Sequence, residues 1–102
     1  MAERKVIWTK TAKFERKEIL TYWIHRTKSK TYSQKLNKLF NEAVLLLVEQ
    51  PQIGRMTTDG KARISIVRDY LIFYEFNEIE ILILSVWDAR RDENSTGFDY
   101  TN

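Results

Sequence analysis

The stretch from Lys61 to Trp87 decides the fold. Its first part, Lys61-Ala62-Arg63-Ile64-Ser65-Ile66, alternates polar and apolar residues, the period of a strand with one buried face. Asp69 turns the chain into Tyr70-Leu71-Ile72-Phe73-Tyr74-Glu75-Phe76, rich in the aromatic and β-branched residues that suit a pleated surface. Polar Asn77-Glu78 separates this run from Ile79-Glu80-Ile81-Leu82-Ile83-Leu84-Ser85-Val86-Trp87. Two such runs across a short polar gap predict a hairpin. From Ile81 to Leu84 the last run is apolar on both faces, which predicts a strand at the sheet centre with helices over one side.

Upstream the period is helical. Thr9 or Thr11 is expected to cap a first helix, because a side-chain oxygen there can accept from a free N–H of the first turn. Its apolar marks are Ile19, Leu20, Trp23 and Ile24, with no breaker before Ser29. Thr31-Tyr32-Ser33-Gln34 fits a capping box for a second helix, whose buried stripe runs through Tyr32, Leu36, Leu39, Phe40, Ala43, Leu46 and Leu47. Pro51 and Gly54 end it. Lys5-Val6-Ile7-Trp8 reads as a short opening strand. The expected order is β-α-α-β-β-β, an α+β domain in which an antiparallel helix hairpin packs on a small, mainly antiparallel sheet. Residues 1–92 form that single domain. Residues 93–102 form a polar C-terminal tail, with Phe98 and Tyr100 as its possible anchors.

Composition excludes much chemistry. None of the 102 residues is a cysteine, so there is no disulfide framework, thiolate zinc site or cysteine nucleophile. The single histidine, His25, leaves no two-histidine metal motif and is expected at a surface or boundary position. The glycines at 54, 60 and 97 are scattered and make no phosphate loop. No metal or cofactor is expected. No apolar run approaches the ~20 residues of a membrane helix, and the N-terminus lacks the apolar core of a signal peptide, so the chain is expected in the cytoplasm, away from membranes. Residues 1–50 carry 11 Lys+Arg against 5 Asp+Glu, and residues 51–102 carry 6 against 9. A basic first half favours an acidic partner, nucleic acid or protein, or merely a solvated helix surface.

The remaining candidates are cations on strands. Lys61, Arg63, Arg68, Arg90 and Arg91 are expected to converge on the sheet face that helices leave open. Arginine suits phosphates, since its planar fork donates two hydrogen bonds and keeps its charge. Acids lie close by in sequence: Asp69 and Glu75 for Arg68, Asp88 and Asp92 for Arg90 and Arg91. Trp87 either stacks on a base or ends the central strand as core.

The element order, together with Ile53-Gly54-Arg55, Arg63 to Tyr74 and the ending Ile83 to Asp92, resembles the RelE/ParE superfamily of toxins from bacterial type II toxin–antitoxin modules, also called plasmid stabilisation proteins. The resemblance implies a chain that blocks growth when freed from its antitoxin. RelE-like members cut mRNA on the ribosome, without a metal, using strand lysines and arginines and a late Tyr or His. ParE-like members act on DNA gyrase. Arg68 matches the strand arginine of the RelE-like site, Arg90 or Arg91 the arginine after the last strand, and Lys61 loosely the preceding lysines. The basic-basic-acidic ending Arg90-Arg91-Asp92 is similar to ParE-type toxins, so action on gyrase is the expectation and mRNA cleavage the alternative, with a non-toxic binding role as a third. Whether the chain is an enzyme is thereby left open. Arg68, Arg90, Arg91 and Lys61 are candidates for target contact or catalysis, and Arg63 and Trp87 for target binding. The resemblance also implies an antitoxin whose C-terminal segment wraps the toxin, for which Lys13, Lys17, Tyr22, Lys28 and Lys35 are the candidate contacts.

Overall fold

The computed structural model describes residues 3–90; Arg91, the expected boundary at residue 92, and Phe98 and Tyr100 lie outside the described residues. Strand β1 (Lys5–Trp8) leads into α1 (Lys10–Thr27) and α2 (Thr31–Glu49). A short 3-10 turn, Pro51–Ile53, then precedes β2 (Arg55–Met56), β3 (Arg63–Val67), β4 (Tyr70–Phe76) and β5 (Glu80–Asp88). Of the two threonines, Thr9 caps α1: its hydroxyl accepts from Ala12 N–H at 3.1 Å and donates to the Leu84 carbonyl at 3.0 Å. The capping box expected at Thr31 does not form. Lys30 occupies the cap position without a side-chain bond, and Ser29 Oγ accepts the Thr31 N–H instead at 3.1 Å. Ser29 lies two residues nearer the turn, so it reaches the free N–H first.

The five strands run in the order β1-β5-β4-β3-β2. The last four are antiparallel neighbours, while β1 lies parallel to β5 with Val6 beside Ile81. β2 was not legible in the sequence, because its two residues pair with Ile64 and Arg63 without any apolar pattern of their own. The Asn77 turn is tighter than its composition suggests. Asn77 Oδ1 accepts from both Ile79 and Glu80 N–H, at 2.8 and 2.9 Å, which closes the hairpin without a glycine.

Both helices pack on one face of the sheet. Ala12 and Ile19 of α1 and Leu36, Phe40, Val44, Leu47 and Val48 of α2 form one buried cluster with Val67, Tyr70, Ile72, Tyr74, Ile81, Ile83 and Val86. The β4–β5 register slips by one residue, Tyr74 facing Ile83 but Phe73 facing Ser85, so β5 carries Leu84 as an extra residue. Glu15 of α1 holds this bulge: its carboxylate accepts from Ser85 Oγ at 2.6 Å and from Val86 N–H at 2.9 Å.

Tyr74, fully buried in β4, ties the end of α2 to the sheet. Its hydroxyl donates to the Pro51 carbonyl at 2.7 Å and accepts from Gly54 N–H at 2.9 Å. Gly54 permits this approach, since a Cβ there would collide with the Tyr74 hydroxyl and stand 2.7 Å from its ring and 2.9 Å from the Ile64 carbonyl. Burial raises the Tyr74 hydroxyl above its ordinary pKa, the Gly54 N–H acting in the opposite sense. The folded chain therefore holds this proton more tightly than the unfolded chain. That contribution is complete below pH ~10 and is lost as pH rises through the raised value. Tyr74→Phe is expected to cost about 1–3 kcal/mol in urea unfolding, because it leaves two buried backbone groups unpaired. It should also lose less stability than the parent between neutral pH and pH values above about 10; an unchanged alkaline slope would count against this role. Gly54→Ala should be the more damaging change.

Candidate functional site

The β3–β4 connection is a two-residue turn, Arg68-Asp69, closed by the pair Val67 and Tyr70. Arg68 adopts φ 57°, in the left-handed region where a side chain costs roughly 1 kcal/mol relative to glycine. It is exposed, and among the described residues its guanidinium has no hydrogen-bond or ion-pair partner. Asp69 is the second residue of the turn. Its carbonyl accepts Ala89 N–H at 2.7 Å, and its carboxylate lies 3.7 Å from Arg90.

Arg90 is neutralised locally. Its Nε and Nη2 each reach an oxygen of Asp88 at 3.2 Å, and its own N–H donates to Asp88 Oδ1 at 2.8 Å. The hydrogen bond to Asp88, with the nearby carboxylates, raises its pKa further above the ordinary arginine value. At half exposure such a pair contributes about 0–1 kcal/mol, so it orders the side chain more than it stabilises the fold. The guanidinium also lies 5.7 Å from the Trp23 ring.

Trp23 anchors this end of the sheet to the helices. Its Nε1–H donates to the Tyr70 hydroxyl at 2.6 Å, and its ring meets Tyr32 edge-on at 4.8 Å and Tyr22 at 5.1 Å. Tyr70 in turn meets Phe40 edge-on at 5.7 Å. Burial raises the Tyr70 hydroxyl above its ordinary pKa, and the Trp23 hydrogen bond offsets part of that. The sequence marked Trp23 and Tyr70 only as apolar positions, since the pairing of their polar tips spans 47 residues.

The described strand cations, Lys61, Arg63, Arg68 and Arg90, do not all converge on the open face. Arg63 stands on the helix side, level with Tyr74, because the alternation of β3 aims Arg63, Ser65 and Val67 toward the helices and Ile64 and Ile66 away. Arg63 donates to the carbonyls of Gln52 and Gly54, at 3.0 and 2.8 Å, and its guanidinium lies 5.9 Å from the Phe76 ring. Lys61 and Arg63 line a groove of about 540 Å³ with Met56, Glu75 and Phe76. With a rise of about 3.3 Å per residue, Arg63 stands on the order of 13 Å from Val67 and the turn beyond it. The structure brings Arg68 and Arg90 to one end of the sheet and leaves Lys61 and Arg63 at the other. Trp87 is half-buried on the helix-free face, its ring 5.0 Å from Phe73.

Lys13, Lys17, Tyr22, Lys28 and Lys35 are all exposed on the helix hairpin. They are not one patch: Lys13 and Lys17 share a stripe of α1, and Tyr22 lies about 140° around the helix from Lys17. Lys28 sits in the cap after α1 at φ 60°. His25 is exposed on α1. Among the described residues no group of His, Cys, Asp or Glu is arranged to hold a metal ion, and no helix is long and apolar enough to cross a membrane.

Two helices on one side of a five-stranded mixed sheet make up the architecture of this chain. It is similar to a solved structure described as "Chromosomal ParDE TA system from P. aeruginosa", with a TM-score of 0.74 and 16% sequence identity over 86% of this chain and 98% of that one. The family described as "ParE toxin of type II toxin-antitoxin system, parDE" matches residues 6–93, and the chain belongs to it. No curated protein matches the sequence.

Arg68→Gly should relieve the turn and stabilise the chain by up to about 1 kcal/mol. Urea unfolding of the two proteins checks this; a destabilised variant would mean that the guanidinium supports the fold.

Proposed function

We propose that this chain is a growth-inhibiting toxin of the ParE type, acting on DNA gyrase by binding rather than by chemistry. The observation that supports it is Arg68. A turn that would be relaxed with glycine instead carries an exposed cation, with no counter-charge among the described residues, at the tip of the sheet, a strained placement of the kind found where a protein contacts its target. Arg90 stands at the same end of the sheet with Asp88 and Asp69 already across its guanidinium, which suits a shaped contact surface.

Cleaving RNA needs a base for the 2′-hydroxyl and an acid for the leaving oxygen, both within hydrogen-bond reach of one phosphate. Among the described residues no such pair stands beside Arg68. Lys61 lies at the far end of β3, and the acids at the near end are engaged with Arg90. This favours gyrase over mRNA cleavage.

Two purified proteins, parent and Arg68→Gly, separate the readings. Added to gyrase, the parent should trap cleaved DNA, and the glycine variant should lose most of that effect while folding at least as well. Added to translating ribosomes, neither should create new mRNA ends. New ends that vanish in Arg68→Gly would make the chain an mRNA endoribonuclease, and no effect in either assay would make it a non-toxic binder.

The cognate partner is an antitoxin with an acidic, wrapping C-terminal segment, received by the basic helix hairpin through Lys13, Lys17, Lys28 and Lys35, with Tyr22 as an apolar anchor. Lys13→Glu/Lys17→Glu should weaken antitoxin binding and flatten its salt dependence, measured by calorimetry at two ionic strengths. Affinity insensitive to salt would remove the electrostatic part.

A further inference from the structure

Helix α1 breaks its own apolar pattern at Arg16. The side of the helix that packs on the core carries Ala12, Ile19, Leu20 and Trp23, and Arg16 falls inside that stripe, one turn after Ala12 and one before Leu20. Its guanidinium lies 4.3 Å from the centroid of the Trp8 ring and donates to Asn41 Oδ1 at 3.4 Å. Among the described residues no carboxylate pairs with it. Partial burial lowers its pKa below the ordinary arginine value, and no acid acts in the opposite sense. Arg90, with Asp88 and Asp69 beside it, is shifted the other way. A guanidinium stacked on an indole keeps its in-plane N–H groups available, and here all but one of them lack an acceptor. The facing helix does not correct this: Asn37, one turn before Asn41 on α2, has a buried Oδ1 with no donor among the described residues. The seam between the helices thus holds a desolvated charge whose cost the chain does not offset.

We propose that Arg16, held on the Trp8 ring, is the seat for one aspartate or glutamate carboxylate of the antitoxin's acidic segment. This deepens the antitoxin reading above and rests on it. The surroundings select the occupant. Lys13 and Lys17 stand exposed beside Arg16 on α1, so the approach is cationic. Leu45, one turn beyond Asn41 on α2, is 64% exposed. An apolar neighbour suits a protein segment of mixed side chains better than the uniform phosphates of a nucleic acid. Access is at the margin of the sheet, because β1 carries Trp8 and has β5 on one side only. A carboxylate arriving there can accept two parallel N–H groups from the guanidinium fork, a stronger contact than a carboxylate makes with a solvated lysine. The charge that weakens the free toxin is then the one that holds the complex, and the lysines around it steer rather than anchor.

Arg16→Met, which keeps the length of the side chain and removes its charge, gives the first test. It should raise the urea midpoint of the free chain, whereas loss of a residue that supports the fold would lower it. The second test titrates hexaglutamate into the full chain at low salt, with the arginine side chains labelled for magnetic resonance. The Arg16 Nε–H resonance should shift with hexaglutamate and stay in place with hexaglutamine. Arg16→Met should weaken hexaglutamate binding severalfold, and Arg16→Lys should fall between it and the parent, since an ammonium keeps the charge without the fork. If Arg16→Met does not fold, the Arg16 resonance and Arg16→Lys decide. A lowered midpoint, an unmoved Arg16 resonance, or binding indifferent to both substitutions would overturn the proposal. Binding weakened by Lys13→Gln/Lys17→Gln but not by Arg16→Met would overturn it too, while leaving the antitoxin reading intact.

Discussion

The hydroxyl of Tyr74 is the constraint on which the arrangement of layers depends. A buried hydroxyl is costly unless its donor and acceptor capacities are both used. Here the Pro51 carbonyl and the Gly54 N–H use them, and both belong to the short connection between α2 and the β2–β3 hairpin. That pairs the end of the helix layer with the middle of the sheet. Gly54 is required because backbone and phenol approach too closely for a Cβ. Arg63 reinforces the same connection from the neighbouring strand by donating to Gln52 and Gly54. The Ile-Gly-Arg stretch at residues 53–55, which drew notice in the sequence as a family feature, thus has a packing reason.

At the opposite end of the sheet the polar contacts serve a different purpose. Glu15 satisfies the β5 bulge and Trp23 satisfies the Tyr70 hydroxyl, so α1 fixes the sheet end from above. Arg90 is then ordered against Asp88 and Asp69. Arg68 alone projects from a strained turn with its charge uncompensated by the described residues. Two arginines that look equivalent in sequence differ in electrostatic state, one carrying its counter-ions and the other having none among the described residues.

Legibility followed the range of the interactions. The span of α2 and the strands β3, β4 and β5 were readable because periodicity is a local property, and each lies within two residues of its expected bounds, although Leu46, expected in the buried stripe of α2, is exposed and Val44 and Val48 are buried instead. β2 was invisible, since it exists only as a partner for β3. The Thr31 cap failed because an equally local competitor, Ser29, lay nearer the turn. The expected convergence of cations failed for a geometric reason: a strand sends alternate residues to opposite faces, and the sequence shows that Arg63 and Ile64 part company without showing which one meets the helices.

The sequence by itself determined the order of the elements other than β2, the interior position of β5 and the membership of the RelE/ParE superfamily. Only the tertiary structure decided which face of β3 the helices cover, that β1 joins β5 in parallel, and that Arg90 is held between acids while Arg68 is not. The division has one physical cause. Propensity and periodicity act between residues a few positions apart, whereas the pairing of Trp23 with Tyr70, Glu15 with Ser85 and Arg90 with Asp69 depends on folded surfaces meeting, where distance in space has replaced distance along the chain.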